Sequence, residues 1–109
     1  MPDPCLLSDM RKASNRLIEA VKTKENIVIY SDFDVDGTTA ASLLILWLRH
    51  CGIEPSLYIP DRITEGYGPN INAFTKLAKK NTLLLCLDSG TQAFESVEAA
   101  NKENCDVII

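Results

Sequence analysis

Asp32-Phe33-Asp34-Val35-Asp36-Gly37 sets three carboxylates at alternate positions between two apolar segments. Directly before it lies a four-residue run, Ile27-Val28-Ile29-Tyr30, long enough for a buried strand. Directly after it begins an apolar pattern of helical length that runs to about Cys51. The segment 27–51 is therefore read as strand, acidic loop and helix in immediate succession. Carboxylates packed this densely repel one another unless a cation lies among them. The hexapeptide is a candidate divalent-metal site.

The rest of the chain repeats the alternation. Ser8 is placed to cap a lead-in helix over 8–22, with Met10, Ala13, Leu17, Ile18 and Val21 on its apolar face. Thr38 or Thr39 is expected to cap the helix behind the acids. Its apolar residues go nearly all round, which predicts burial on most sides, and Gly52 supplies its stop. Ser56 to Ile59 reads as a second strand closed by Pro60. Glu65-Gly66-Tyr67-Gly68-Pro69 reads as a loop. Asn70 then caps a helix with Ile71, Phe74, Leu77 and Ala78 inward. The motif over 83–90 joins a core strand, Leu83 to Leu87, to a tight turn, Asp88-Ser89-Gly90-Thr91. Phe94, Val97 and Ala100 mark a further helix, and Asp106 to Ile109 a fourth strand. Strands alternating with helices predict an α/β fold, a three-layer parallel sheet with helices on both faces. At 109 residues one domain, 1–109, is expected and no second one. Ligands of such sheets gather at the carboxyl ends of the strands. Asp32 to Asp36 follow one strand and Asp88 follows another, so the acids converge if those strands are neighbours.

Composition narrows the function. Apolar residues make up 46%, which excludes a disordered chain. No apolar stretch approaches the roughly 18 residues of a membrane span. Met1-Pro2-Asp3-Pro4 has neither the basic nor the apolar region of a signal peptide. The four cysteines, at 5, 51, 86 and 105, form no CxxC pair and are expected to be buried or half-buried thiols, as in a reducing cytoplasm. A net charge of −4 suits non-specific nucleic-acid binding poorly, because phosphate contacts need Lys and Arg. The run Val107-Ile108-Ile109 would leave a free carboxylate on a buried strand, so a truncated domain is expected. Its open sheet edge would favour self-association.

Three families carry runs of this kind. Asp32, Asp34, Asp36 and Gly37 match positions of an EF-hand calcium loop, but the required bidentate Glu at its twelfth position is Leu43, and a strand leads in. Asp34-Val35-Asp36-Gly37-Thr38 resembles the opening of haloacid-dehalogenase-like phosphatases, with Asp34 as nucleophile and Asp36 as acid–base. Against this, Asp32 already closes the strand and no flap separates Thr38 from the helix. The third reading joins both acidic segments. Tyr30 to Gly37 resembles the first motif of the DHH phosphoesterase superfamily, and Leu87-Asp88-Ser89-Gly90 resembles its second. Ile59-Pro60-Asp61-Arg62 with Glu65-Gly66-Tyr67-Gly68 is similar to the intervening segment of the RecJ branch, and Asp3 to Met10 to its lead-in. The resemblance covers essentially the whole chain.

That resemblance implies a 5′→3′ exonuclease of single-stranded DNA, in repair and recombination, using Mn²⁺ or Mg²⁺. Asp32 and Asp34 would be ligands to two metals and Asp88 would bridge them. Asp36 would be a supporting acid, bonded to the loop or capping the helix. Gly37 and Gly90 would let the backbone turn tightly beside the acids. A cation pair about 4 Å apart, held by hard oxygen ligands, suits phosphodiester hydrolysis whatever the family. Arg62 either meets a substrate phosphate or pairs with Asp61 or Glu65. Tyr67 is a loop anchor or a stacking platform, and His50 suits a helix C-terminus. The pattern departs from the family in two ways. Some relatives carry His at the position of Tyr30, a poor divalent ligand, and the Asp-His-His motif would begin about where this chain stops. The chain is accordingly expected to be an N-terminal part, inactive alone. Within the superfamily, an oligoribonuclease or cyclic-dinucleotide phosphodiesterase is the alternative. Outside catalysis the alternative is a replication scaffold, which would not need clustered acids.

Overall fold

The computed structural model describes residues 1–109. A short 3-10 turn, Pro4–Leu6, leads into helix α1, Met10–Lys22, and strand β1, Asn26–Ser31. Helix α2 spans Val35–His50 and strand β2 Ser56–Tyr58. Helix α3 (Ile71–Leu77), strand β3 (Thr82–Leu87), helix α4 (Phe94–Lys102) and strand β4 (Asp106–Ile108) complete the chain. The four strands form one sheet in the order β2-β1-β3-β4, every pairing parallel. The expected three-layer α/β architecture is what the chain adopts.

Side-chain alternation along β1 and β3 builds the two cores. Ile27 and Ile29 face one side with Leu83 and Leu85, against Leu17, Ala20 and Val21 of α1 and Ala41, Leu44, Ile45 and Leu48 of α2. Val28 and Tyr30 face the other side with Leu84 and Cys86, against Ala73, Phe74 and Ala78 around α3 and Val97 and Ala100 of α4. Fully burying a Leu or Ile contributes about 1.5–3 kcal/mol, so these two central strands dominate the stability.

Several local expectations are corrected. Helix α1 starts at Met10, not Ser8, behind Asp9, which has a left-handed backbone and makes no side-chain cap. Helix α2 starts at Val35 and is capped by Asp34, not by a threonine or Asp36. Nor is α2 buried all round: Val35, Leu43 and Leu46 are exposed and Trp47 is 40% exposed. A helix lying on one sheet face can bury only one stripe, here Ala41, Leu44, Ile45 and Leu48. Ile18, Ile71 and Phe94 point to solvent for the same reason. Asn70 does cap α3, accepting the Ala73 N–H at 2.7 Å. Cys86 and Cys105 are buried, whereas Cys5 in the 3-10 turn and Cys51 at the end of α2 are exposed, and all four are free thiols. No helix is long and apolar enough to cross a membrane.

Candidate metal centre

Because β1 and β3 are paired neighbours with Ser31 beside Leu87, the residues that follow them, Asp32 and Asp88, leave the same edge of the sheet side by side. Asp34 and Asp36 sit just beyond, at the start of α2. The acids feel one another. The Asp88 carboxyl is held above the ordinary carboxylate range, first by partial desolvation and then by the charges of Asp34, Asp36 and Asp32.

The three motif acids are placed differently. Asp32 is 2% exposed. One carboxylate oxygen accepts the N–H of Phe33 at 2.7 Å, and the other, Oδ2, is buried with no hydrogen-bond partner. An orphaned carboxylate oxygen is costly unless something pairs with it. Asp34 is exposed, and its Oδ1 accepts the N–H of Gly37 at 2.9 Å. Asp36 lies in the first turn of α2, exposed, and the bond that closes the loop is made by Asp34 in its place.

The two glycines act differently from one another. Gly37 is buried within α2, and a Cβ there would lie 2.9 Å from the Asp32 carbonyl oxygen and 3.1 Å from Ser31 Oγ. Its use is close approach of helix to strand end, not the tight turn expected. Gly90 has φ +98 and does turn the chain, just after Asp88, itself at φ 57. A Cβ at Gly90 would also meet Cys86 Sγ at 3.0 Å and Pro69 Cγ at 3.2 Å.

Asp88 lines a cleft of about 700 Å³ together with Ser89, Gly90, Gln92 and Tyr67. Tyr67 is 74% exposed. Its phenol is pushed above its usual range chiefly by the Asp32 charge, then by desolvation and by Asp34 and Asp88. Arg62 pairs with neither Asp61 nor Glu65. Its guanidinium lies over the Phe33 ring, 4.8 Å from the centroid, between the motif acids Asp32 and Asp34 in sequence. Glu65 instead accepts from the Tyr58 hydroxyl and from the Asp61 N–H at 2.8 Å. His50 is exposed in the last turn of α2, where a basic group suits the helix end.

These residues suit a hard cation in kind: oxygen donors, one of them buried and unpartnered, at a strand edge crowded with negative charge. They do not close a cage by themselves, since no three His, Cys, Asp or Glu side chains are arranged to hold an ion.

Two contributors in the first motif are not acids. Phe33 seats Arg62. Tyr30, fully buried, donates its hydroxyl to the Gly68 carbonyl at 2.9 Å. The available signal was an aromatic hydroxyl in an otherwise aliphatic strand, because a buried Tyr normally finds a hydrogen-bond partner.

Comparison with known proteins agrees with this fold. The DHH family, N-terminal domain, matches residues 26–109. The single-stranded-DNA-specific exonuclease RecJ of Bacillus subtilis is 36% identical over 98% of this chain and 14% of its own length. The RecJ of Haemophilus influenzae is 33% identical over 100% of this chain and 19% of its own length. The chain thus spans less than a fifth of these relatives. A crystal structure of exonuclease RecJ bound to manganese superposes with a TM-score of 0.85 at 26% identity, over 98% of this chain and 27% of that one. The Thermus thermophilus RecJ complex with Mn²⁺ has the same fold, with a TM-score of 0.77 at 22% identity over 93% of this chain and 14% of that one.

Proposed function

The chain belongs to the DHH family, and from that premise we propose that it forms part of the core of a metal-dependent phosphodiesterase, an exonuclease that removes nucleotides from the 5′ end of single-stranded DNA in repair and recombination. The observation that carries the reading is the buried, unpartnered Asp32 Oδ2 at the end of β1, beside Asp88 at the end of β3. Asp32 and Asp34 are the proposed ligands of Mn²⁺ or Mg²⁺, and Asp88 the proposed bridge. When bound, the cations supply charge neutralisation at a phosphodiester and activation of water.

The chain's own residues have separate tasks. Asp32 offers its free oxygen from a rigid position, because Oδ1 is fixed on the Phe33 amide. Asp34 couples the site to α2 through Gly37. Asp36 adds charge at the rim. Arg62, kept over Phe33, is the proposed partner of a substrate phosphate, which a guanidinium fits well. It answers the absence of a net basic charge at the one place where phosphate must approach.

Three carboxylates not closed into a cage bind a divalent ion weakly. The 109-residue chain alone is therefore proposed to hold Mn²⁺ weakly and not to cleave. Calorimetric titration with Mn²⁺ and digestion of a 5′-labelled oligonucleotide test both statements. Weak binding lost in Asp32→Asn, with the oligonucleotide intact, is the expected result. Absence of binding even at millimolar Mn²⁺ would overturn the metal reading. Digestion that Asp88→Ala abolishes would overturn the inactivity of the chain alone while supporting the nuclease reading.

A further inference from the structure

The loop from Gly66 to Pro69 carries Tyr67 to the acidic cleft, yet none of its four residues makes a backbone–backbone hydrogen bond. Gly66 and Gly68 both have positive φ, 76 and 78, so the loop has little intrinsic preference for this one path. Side chains from elsewhere hold it. Tyr58 grips Glu65 just before it, and Ser96 reaches the Pro69 carbonyl at 3.4 Å. Between them, the Tyr30 hydroxyl bonds the Gly68 carbonyl at 2.9 Å from inside the sheet. Tyr30 itself is immobilised. It is fully buried, stacked on Tyr58 at 5.5 Å and edge-on to Phe74 at 5.3 Å.

We propose that Tyr30 is a positioning residue of the cleft: its buried hydroxyl, anchored in β1, fixes the Gly68 carbonyl and so holds the Tyr67 ring beside Asp32, Asp34 and Asp88. The strand that delivers Asp32 also delivers the hydroxyl, from a residue two positions earlier. One rigid element thereby sets both Asp32 and the aromatic wall of the cleft. Tyr30 turns inward and offers nothing to a cation. Its contribution to the site passes through Tyr67, which touches whatever enters the cleft. The inference deepens the proposed metal site and rests on it only for the Mn²⁺ readout.

Three NMR measurements test it in the intact chain. In the native protein the Tyr30 hydroxyl proton should be protected from solvent exchange and show a nuclear Overhauser contact with Gly68. A freely exchanging hydroxyl overturns the proposal without need of any variant. Tyr30→Phe keeps the ring and its stacking and removes only the donor. Its Gly66, Tyr67 and Gly68 amides should lose order on the nanosecond scale, while Asn70 to Leu77 keep theirs. With Mn²⁺ added, the native Tyr67 and Phe33 rings should both be broadened. In Tyr30→Phe the Tyr67 broadening should fall several-fold with Phe33 unchanged. Unchanged loop order in Tyr30→Phe overturns the positioning role. Phe33 unbroadened in the native chain refutes the metal site instead, and the loop-order measurement still decides the inference.

Discussion

Asp34 accepts the Gly37 N–H at 2.9 Å and so serves as the N-cap of α2 with the same carboxylate that faces Asp88. The two duties differ chemically. Capping needs an acceptor oxygen, which Asn provides as well as Asp, whereas a divalent cation and the repulsion by Asp88 need the charge.

Asparagine and alanine at position 34 should therefore part company. Asp34→Asn keeps the cap and should leave the melting temperature nearly unchanged. Asp34→Ala loses the cap and should cost about 1 kcal/mol. Both should weaken Mn²⁺ binding by at least the roughly 10-fold that loss of a mere orienting partner costs. Thermal unfolding and calorimetry on the two variants separate the roles. Equal Mn²⁺ affinity in Asp34→Asn and the native chain would remove Asp34 from the ligand set.

Arg62 should contribute to oligonucleotide binding through charge, and Phe33 through placing that charge. Neutralising one phosphate contact on a single strand lowers the salt slope by about 0.7. Arg62→Ala should show that reduction in a fluorescence-anisotropy titration over a salt series. Phe33→Leu removes a contact worth about 0.5–1 kcal/mol at an exposed site. It should weaken binding several-fold with most of the slope retained. A full-length relative carrying these substitutions would serve as well as this chain. Binding indifferent to Arg62→Ala would return Arg62 to the surface.

What could be read from the sequence was local. The apolar run Leu83 to Leu87, the Asn70 cap and the alternation of strand and helix depend on neighbours in the chain, and each is found in place. The approach of Asp32 to Asp88 needed only one further condition, that β1 and β3 pair. What escaped depends on contacts made across the fold. The bond from Tyr30 to Gly68 spans 38 residues, and the seat of Arg62 on Phe33 links a loop to a motif far from it in sequence. The sequence does not point to Asp34 as the cap of α2, because the threonines at 38 and 39 look like better caps than an acid suited to a metal. Thr38 spends its hydroxyl on the Asp34 carbonyl at 2.7 Å instead. The apolar residues of α2 could not reveal which stripe meets the sheet, and Leu43 and Leu46 lie outside it.

Acid should unfold the chain partly through Glu25. Arg16 makes a two-pronged bond to its carboxylate at 2.7 and 2.8 Å and a third bond to Asp106 at 2.8 Å, tying α1 to the start of β1 and to β4. The Arg16 hydrogen bonds hold Glu25 below the ordinary carboxylate range. A depressed acid contributes stability above its unfolded pKa, about 4.3 for Glu, and loses it as pH falls through the lower folded value. Arg16→Met should therefore cost about 1 kcal/mol at neutral pH and flatten the fall in stability below pH about 4. Urea unfolding at neutral and acid pH measures both. An acid limb as steep in Arg16→Met as in the native chain would assign it to other carboxylates.

Gly37→Ala sets helix propensity against close packing. Alanine in place of a helical glycine gains up to about 1 kcal/mol, and Gly37 lies inside α2 with no unusual φ. The added methyl, however, would stand 2.9 Å from the Asp32 carbonyl oxygen, a backbone atom that cannot swing aside. Overpacking of this kind costs roughly 1–3 kcal/mol, so the clash should win and the net change should be destabilising. The relief available is for α2 to move away from the end of β1. That carries Asp34 off with it and loosens Asp32, whose neighbouring Ser31 Oγ lies only 3.1 Å from the new methyl. Mn²⁺ affinity should fall although no ligand has been changed. Thermal unfolding and Mn²⁺ calorimetry on Gly37→Ala read the two effects together. A more stable variant with native affinity would show that the helix and strand can separate freely, and that Gly37 does not set the distance between the acids.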